Sequence, residues 1–132
     1  MKCIVDTHAL IWWLNRTSAD SRLSPQVIAL MEDPNNDIMV SAVSAWEIAT
    51  KCANGKGPEL EVLARNFEQI VHREGFDTLH ITASHARVAA FLPKHHKDPW
   101  DRMLIDRAIS MNIPLISRDS NFDRYDDLAV IW

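Results

Sequence analysis

Six acidic residues stand where short apolar runs meet helix-like segments. Asp6 ends the run Lys2–Val5. Glu47 lies early in the segment that follows Ile38–Val40. Asp98 and Asp101 open a strongly patterned stretch, and Asp119 follows Pro114–Ser117 directly, with Asp123 one turn on. Carboxylates held a few ångströms apart repel one another and titrate upward unless a cation joins them. Hard oxygen donors of this kind suit Mg²⁺ or Mn²⁺ and not zinc. Such ions can deprotonate a water, orient it in line with a phosphodiester and stabilise the leaving oxygen. No histidine acid–base pair is then required.

Whether these acids meet depends on the elements that carry them. Lys2–Val5 is a short run with β-branched residues and reads as a buried strand. Thr7–Asn15 reads as a helix. Ser24-Pro25 places an N-cap and a proline at the first helical position, starting a helix that ends near Glu32. After the turn cluster Pro34-Asn35-Asn36-Asp37, Ile38–Val40 reads as a second strand. A helix then runs from Ala42 to Ala53 and stops at Asn54-Gly55. A helix is expected from Pro58 to about Arg73, stopped by Gly75. Phe76–Ile81 is a third strand and Thr82–Phe91 a helix. Asp98-Pro99 opens a helix to about Met111, and Pro114–Ser117 and Ala129–Trp132 are the last two strands.

Strands alternating with helices predict right-handed βαβ units. The expected fold is α/β: a three-layer α/β/α sandwich around a parallel sheet of about five strands, forming one domain over residues 1–132. In such a sheet the carboxyl ends of all strands share one edge. Asp6, Glu47 and Asp119 then fall near that edge, and the helix opened by Asp98 and Asp101 starts there.

Each acid also has a purely structural reading. Asp6 fits a helix cap, Ser44-x-x-Glu47 fits a capping box, and Asp98-Pro99-Trp100-Asp101 offers an N-cap, a proline at N1 and an acid at N3. Asp119 fits a cap on the turn through Phe122. The feature that favours a site is the gathering of all of them on one edge.

Composition narrows the classes. The 132 residues are 47% hydrophobic and 24% charged, the balance of an ordinary globular protein. The longest apolar run, Ala9–Leu14, is far short of the ~20 residues a bilayer requires, and Asp6 and His8 interrupt any signal-peptide core. Cys3 and Cys52 do not make a disulfide framework and read as reduced core residues of a cytoplasmic protein. A net charge of −4 counts against a simple nucleic-acid-binding module but not against an enzyme that uses divalent ions.

Four motifs occur in order: Val5-Asp6-Thr7-His8-Ala9-Leu10, Ser44-Ala45-Trp46-Glu47-Ile48, His96-Lys97-Asp98-Pro99-Trp100-Asp101-Arg102-Met103-Leu104-Ile105 and Ser117-Arg118-Asp119-Ser120-Asn121-Phe122. Together they resemble the PIN-domain ribonucleases, in particular the VapC-type toxins of bacterial toxin–antitoxin pairs, across essentially the whole chain. The resemblance implies an Mg²⁺- or Mn²⁺-dependent endoribonuclease inhibited by a small antitoxin. It matches the family's four acids to Asp6, Glu47, Asp101 and Asp119, and assigns Asp98 to a variant in which two aspartates flank the Pro-aromatic pair, either of which could contact metal. Ile105-Asp106-Arg107-Ala108 departs from the small-residue run common after the third acid, leaving Asp106 as an extra surface charge. Asp123 is an auxiliary acid at most.

Beside the acids, Lys51 follows Glu47 by four residues, which suits an i,i+4 ion pair or a phosphate contact. Lys94-His95-His96-Lys97 reads as a basic approach loop, without the partners a zinc site needs. Arg102 and Arg118 suit bidentate clamping of RNA phosphates or local charge balance. Trp12, Trp13 and Trp46 read as core. Adjacent Trp12 and Trp13 cannot face one core, however, since neighbours differ by ~100° around a helix. One of them is expected at a subunit or antitoxin interface, within a homodimer. Two other functions fit parts of the pattern. An aspartyl-phosphate phosphatase would carry a second Asp where His8 stands, and a catalytically silent scaffold of the same fold would be expected to lose acids that this chain keeps.

Overall fold

The computed structural model describes residues 1–19 and 21–132. Five strands, β1 (Lys2–Val5), β2 (Asp37–Ser41), β3 (Asp77–Leu79), β4 (Leu115–Ile116) and β5 (Val130–Ile131), form one sheet in the order β3-β2-β1-β4-β5. Every pairing is parallel. The chain builds outward from β1 through β2 to β3, then crosses back to lay β4 and β5 on the other side. The strand order therefore reverses between β1 and β4, the place where parallel sheets open a crevice at their carboxyl edge.

The central strands are buried on both sides, so they read as continuous apolar runs. Side chains alternate between two cores. Cys3, Val5, Ile38 and Val40 face helices α1 (Thr7–Leu14), α2 (Pro25–Glu32), α4 (Glu61–Arg65) and α5 (Phe67–Arg73) through Leu10, Trp13, Val27, Leu63, Phe67 and Val71. Ile4, Met39 and Leu115 face α7 (Pro99–Met111) through Leu104, Ile105 and Ala108, together with Phe122, Tyr125 and Leu128. Helix α6 (Ala83–Ala90) lies against α7, and α3 (Ala42–Ala53) connects β2 to the first helical layer. This is the three-layer sandwich expected from the alternation of elements. Burial pushes the Cys3 thiol up to about 11, as suits an inert core cysteine.

Helix boundaries follow local chemistry. Ser24 accepts a hydrogen bond from the Val27 amide, and Pro25 opens α2. Gly55 (φ 70°) and Gly75 (φ 81°) adopt the left-handed conformation just beyond α3 and α5. Three expectations change. The helix expected over 58–73 is a 3-10 turn at Pro58–Leu60, then α4, then α5; it breaks at Asn66, whose side-chain amide donates to the Val62 carbonyl. Trp46 is not core: it is 57% exposed, its ring edge-on to Trp100 at 5.4 Å. Asp106 is not a surface charge but 3% exposed, because its position on α7 turns it inward, where burial raises its carboxyl and Ser110 is its hydrogen-bond partner at 3.5 Å.

Candidate metal centre

A cleft of about 120 Å³ opens at the carboxyl edge where the strand order reverses. It is lined by Asp6, Glu47, Asp98, Asp101 and Asp119, together with Thr7, His8, Lys51, Trp100 and Phe122. All five acids named as candidate metal ligands thus reach one cavity. Asp123 lies exposed on the 3-10 turn Ser120–Arg124 and does not line it.

Several acids cap a helix and line the cleft at once. The Asp6 Oδ1 accepts from the Ala9 amide at 2.7 Å, while Oδ2 accepts from the Ser117 hydroxyl. Asp98 caps α7 through the Trp100 and Asp101 amides, and Asp119 caps the 3-10 turn through the Asn121 amide. The two readings open in the sequence are compatible, because a carboxylate has more acceptor sites than one cap uses. Glu47 differs. Ser41 caps α3, Ser44 instead accepts from the Thr7 hydroxyl at 2.9 Å, and the capping box expected at Ser44–Glu47 does not form. Glu47 sits inside the helix, 5% exposed, with Lys51 paired to it at 3.2 Å.

Like charges dominate. The Asp101 carboxyl is pushed up to about 7, first by burial and then by the negative field of Asp98, Glu47, Asp119 and Asp6. Burial also raises Asp6, against the hydrogen bonds from Ser117 and Ala9 that lower it. Such a set of oxygen donors, crowded, with Asp6 and Glu47 buried and few positive partners, fits a hard divalent cation.

Two residues take parts that the sequence reading did not give them. Ser117 at the end of β4 donates to Asp6 and accepts from the Asp119 amide at 3.1 Å, so one hydroxyl fixes two of the acids. A serine two residues before an acid at a strand end was the available signal. His96, read as part of a basic loop, turns its ring inward instead. It stacks near Phe122 and Tyr125, and its Nε2 lies 4.0 Å from Asp101 Oδ2. Burial pushes this imidazole below its ordinary range.

The predicted phosphate clamp at Arg102 is corrected. Its guanidinium is 9% exposed and donates to the carbonyls of Ala89, Ala90, Leu92, Pro93 and His96 at 2.7–3.2 Å. With both terminal amino groups taken by backbone carbonyls, it holds the end of α6 and the loop after it. Arg118 is exposed and lines an adjoining cavity of about 400 Å³ with His8, Trp12, Arg22 and Ser120; this cavity shares Asp6 and Asp119 with the cleft. Trp13 is buried and donates to Glu74 at 2.8 Å, whereas Trp12 is half-buried against Trp132.

With this geometry in place, the sequence pattern of the PIN domain matches residues 3–128. The chain belongs to the PIN domain family. No curated protein sequence is significantly similar to it. Among solved structures, this PIN domain is similar to VapBC2 from Rickettsia felis bound to a promoter DNA fragment, at TM-score 0.70 and 16% identity, covering 99% of this chain and 98% of that one. FitAcB from Neisseria gonorrhoeae aligns at TM-score 0.68 and 18% identity over 98% and 96%. A toxin–antitoxin complex from Klebsiella pneumoniae aligns at TM-score 0.58 and 16% identity over 98% and 96%. At these identities the likeness is one of fold. No helix among the described residues is long and apolar enough to cross a membrane.

Proposed function

We propose that this PIN domain is an Mg²⁺- or Mn²⁺-dependent endoribonuclease and the toxin of a toxin–antitoxin pair. The observation that carries the reading is the convergence of Asp6, Glu47, Asp98, Asp101 and Asp119 on one cleft where, among the described residues, only Lys51 forms an ion pair with an acid at hydrogen-bonding distance. Asp6, Glu47, Asp101 and Asp119 are the catalytic set, and Asp98 is a further candidate ligand. A bound divalent ion supplies Lewis acidity and a water ionised at neutral pH.

The protein's own residues supply position. Ser117 and the Ala9 amide fix the Asp6 carboxylate, and Lys51 fixes Glu47. Asp98 is pinned by its cap, so the acids are preorganised by elements that are rigid for other reasons. Arg118 at the adjoining cavity faces solvent, where a guanidinium suits backbone phosphates. Lys51 is the second candidate phosphate contact. RNA is the substrate that the resemblance to PIN-domain ribonucleases implies, and unstacked single strands are the form in which RNA sequence is read. The chain acts as one domain over residues 1–132, in the cytoplasm, as a homodimer bound by a small cognate antitoxin. The fold neighbours described as toxin–antitoxin assemblies support the antitoxin.

With water as nucleophile, RNA is cut to a 5′-phosphate and a 3′-hydroxyl. Sequencing the RNA ends from the wild type and Asp6→Asn tests this. Asparagine keeps the cap on α1, so the fold persists while metal-dependent cutting falls at least about a hundredfold, beyond what loss of an outer-shell partner brings. Undiminished cutting by Asp6→Asn, or 2′,3′-cyclic ends from the wild type, overturns the reading.

A further inference from the structure

We propose that Nε2 of His96 is a nitrogen ligand of the divalent-cation site beside Asp101 and Asp119, biasing it toward Mn²⁺ over Mg²⁺. The inference rests on the reading above, that the carboxylate cleft holds a divalent ion, and it adds a donor of a different element to an otherwise all-oxygen set.

One hydrogen-bond arrangement around Tyr125 leaves Nε2 free. The Tyr125 hydroxyl has one hydrogen, and its oxygen lies 3.3 Å from both the Pro93 carbonyl and His96 Nδ1. When the hydroxyl hydrogen goes to the Pro93 carbonyl, which also accepts from Arg102, Nδ1 is the group that donates to Tyr125. The neutral ring then carries a bare lone pair on Nε2. That atom is buried, the side chain is 7% exposed, and no hydrogen-bond partner reaches it.

Its charged neighbours are Asp101, Asp119 and Asp98, with Arg124 and His95 also in range. One oxygen of Asp101, one of Asp119 and a ring nitrogen of His96 all lie within 4.8 Å of one another. Nε2 stands 4.0 Å from Asp101, beyond direct hydrogen-bond distance. Two ligands of one ion with bonds of about 2.1 Å can stand up to about 4.2 Å apart. A bare lone pair buried against two carboxylates is unfavourable without a cation between them.

Packing alone does not account for an imidazole here. Phe122 and Tyr125 stack against the ring, and a phenyl group would satisfy that contact. What the nitrogens add is the arrangement common to metal-binding histidines, one N–H anchored to a partner and the other nitrogen presented to the metal. The backbone is fixed as well, since Arg102 holds the His96 carbonyl at 3.2 Å. Both ions favour oxygen donors, but Mn²⁺, as a first-row transition ion, accepts an imidazole nitrogen more readily than Mg²⁺ does.

The test is pulsed electron spin-echo spectroscopy on the Mn²⁺-loaded protein, with Mn²⁺ and Mg²⁺ titrated calorimetrically. The wild type shows nitrogen coupling from a coordinated imidazole, and His96→Phe, which keeps the stack, loses it. The Mn²⁺:Mg²⁺ affinity ratio falls about tenfold or more in that variant. His8 and His95 are the exposed imidazoles nearby, and coupling that survives both His8→Ala and His95→Ala belongs to His96 even if His96→Phe does not fold. Mn²⁺ bound without nitrogen coupling, coupling that persists in His96→Phe, or coupling lost in His8→Ala or His95→Ala overturns the inference and leaves the carboxylate site standing. Failure of the wild type to bind either ion overturns both.

Discussion

Asp101 is where the chemistry of the cleft is most exposed to measurement. Its carboxyl sits near 7 because burial and four neighbouring acids oppose its charge. Protons and metal compete for it, and ligands must be deprotonated to bind. With that value, about a tenth of Asp101 is ionised at pH 6 and about nine-tenths at pH 8, so calorimetric titration should show metal affinity about tenfold weaker at pH 6. In Asp101→Asn that dependence should flatten while affinity falls at both pH values. Asp6 is raised as well, but Ser117 and the Ala9 amide hold its charged form. The two acids therefore differ in kind: one is anchored by hydrogen bonds, the other crowded by charge.

At the scale of elements, α7 and the loop before it decide the site. Pro99 and the Asp98 cap start α7 at the carboxyl edge, and Arg102 one turn later reaches back to five carbonyls between Ala89 and His96. Hydrogen bonds from a charged donor contribute about 1.5–3 kcal/mol each, and carbonyls left buried without partners add to the loss. Lysine has no planar fork and cannot reach all five. Arg102→Lys should therefore lower unfolding free energy by at least about 3 kcal/mol in urea denaturation. A phosphate contact would give the other pattern, weaker RNA binding with unchanged stability.

For the whole molecule, the cleft is a cost that metal offsets. A carboxyl at about 7 when folded and about 3.9 when unfolded binds more protons in the native state between those values. Stability from this group is then highest below about pH 4, falls as pH rises through that window and is lowest above 7. A cation reverses the loss. At a hundred times its dissociation constant it should add about 2.7 kcal/mol, an increase in Tm of roughly 10 °C for a domain of this size. Scanning calorimetry should show a larger Tm increase at pH 8 than at pH 5.5. No shift with saturating Mg²⁺ or Mn²⁺ at pH 8 would argue against the metal centre.

The elements themselves were legible in the linear chain. β-branched runs, Ser24-Pro25, Asp98-Pro99, Gly55 and Gly75 act within a few residues, and parallel strands alternating with helices leave the first, second and fourth acids only one edge to share. What folding alone decided was the direction of side chains whose partners are remote. Arg102 suits phosphate or carbonyl equally until the backbone of residues 89–96 is wrapped around it. Asp106 and Trp46 exchange their expected places because a helix in a sandwich has faces that its own periodicity does not name. Ser117 and His96 reach the acids of the cleft only once β4 lies beside β1 and the chain brings Tyr125 to the imidazole. Local rules set where the chain bends and caps; contacts between distant segments set which polar atoms are left facing one another.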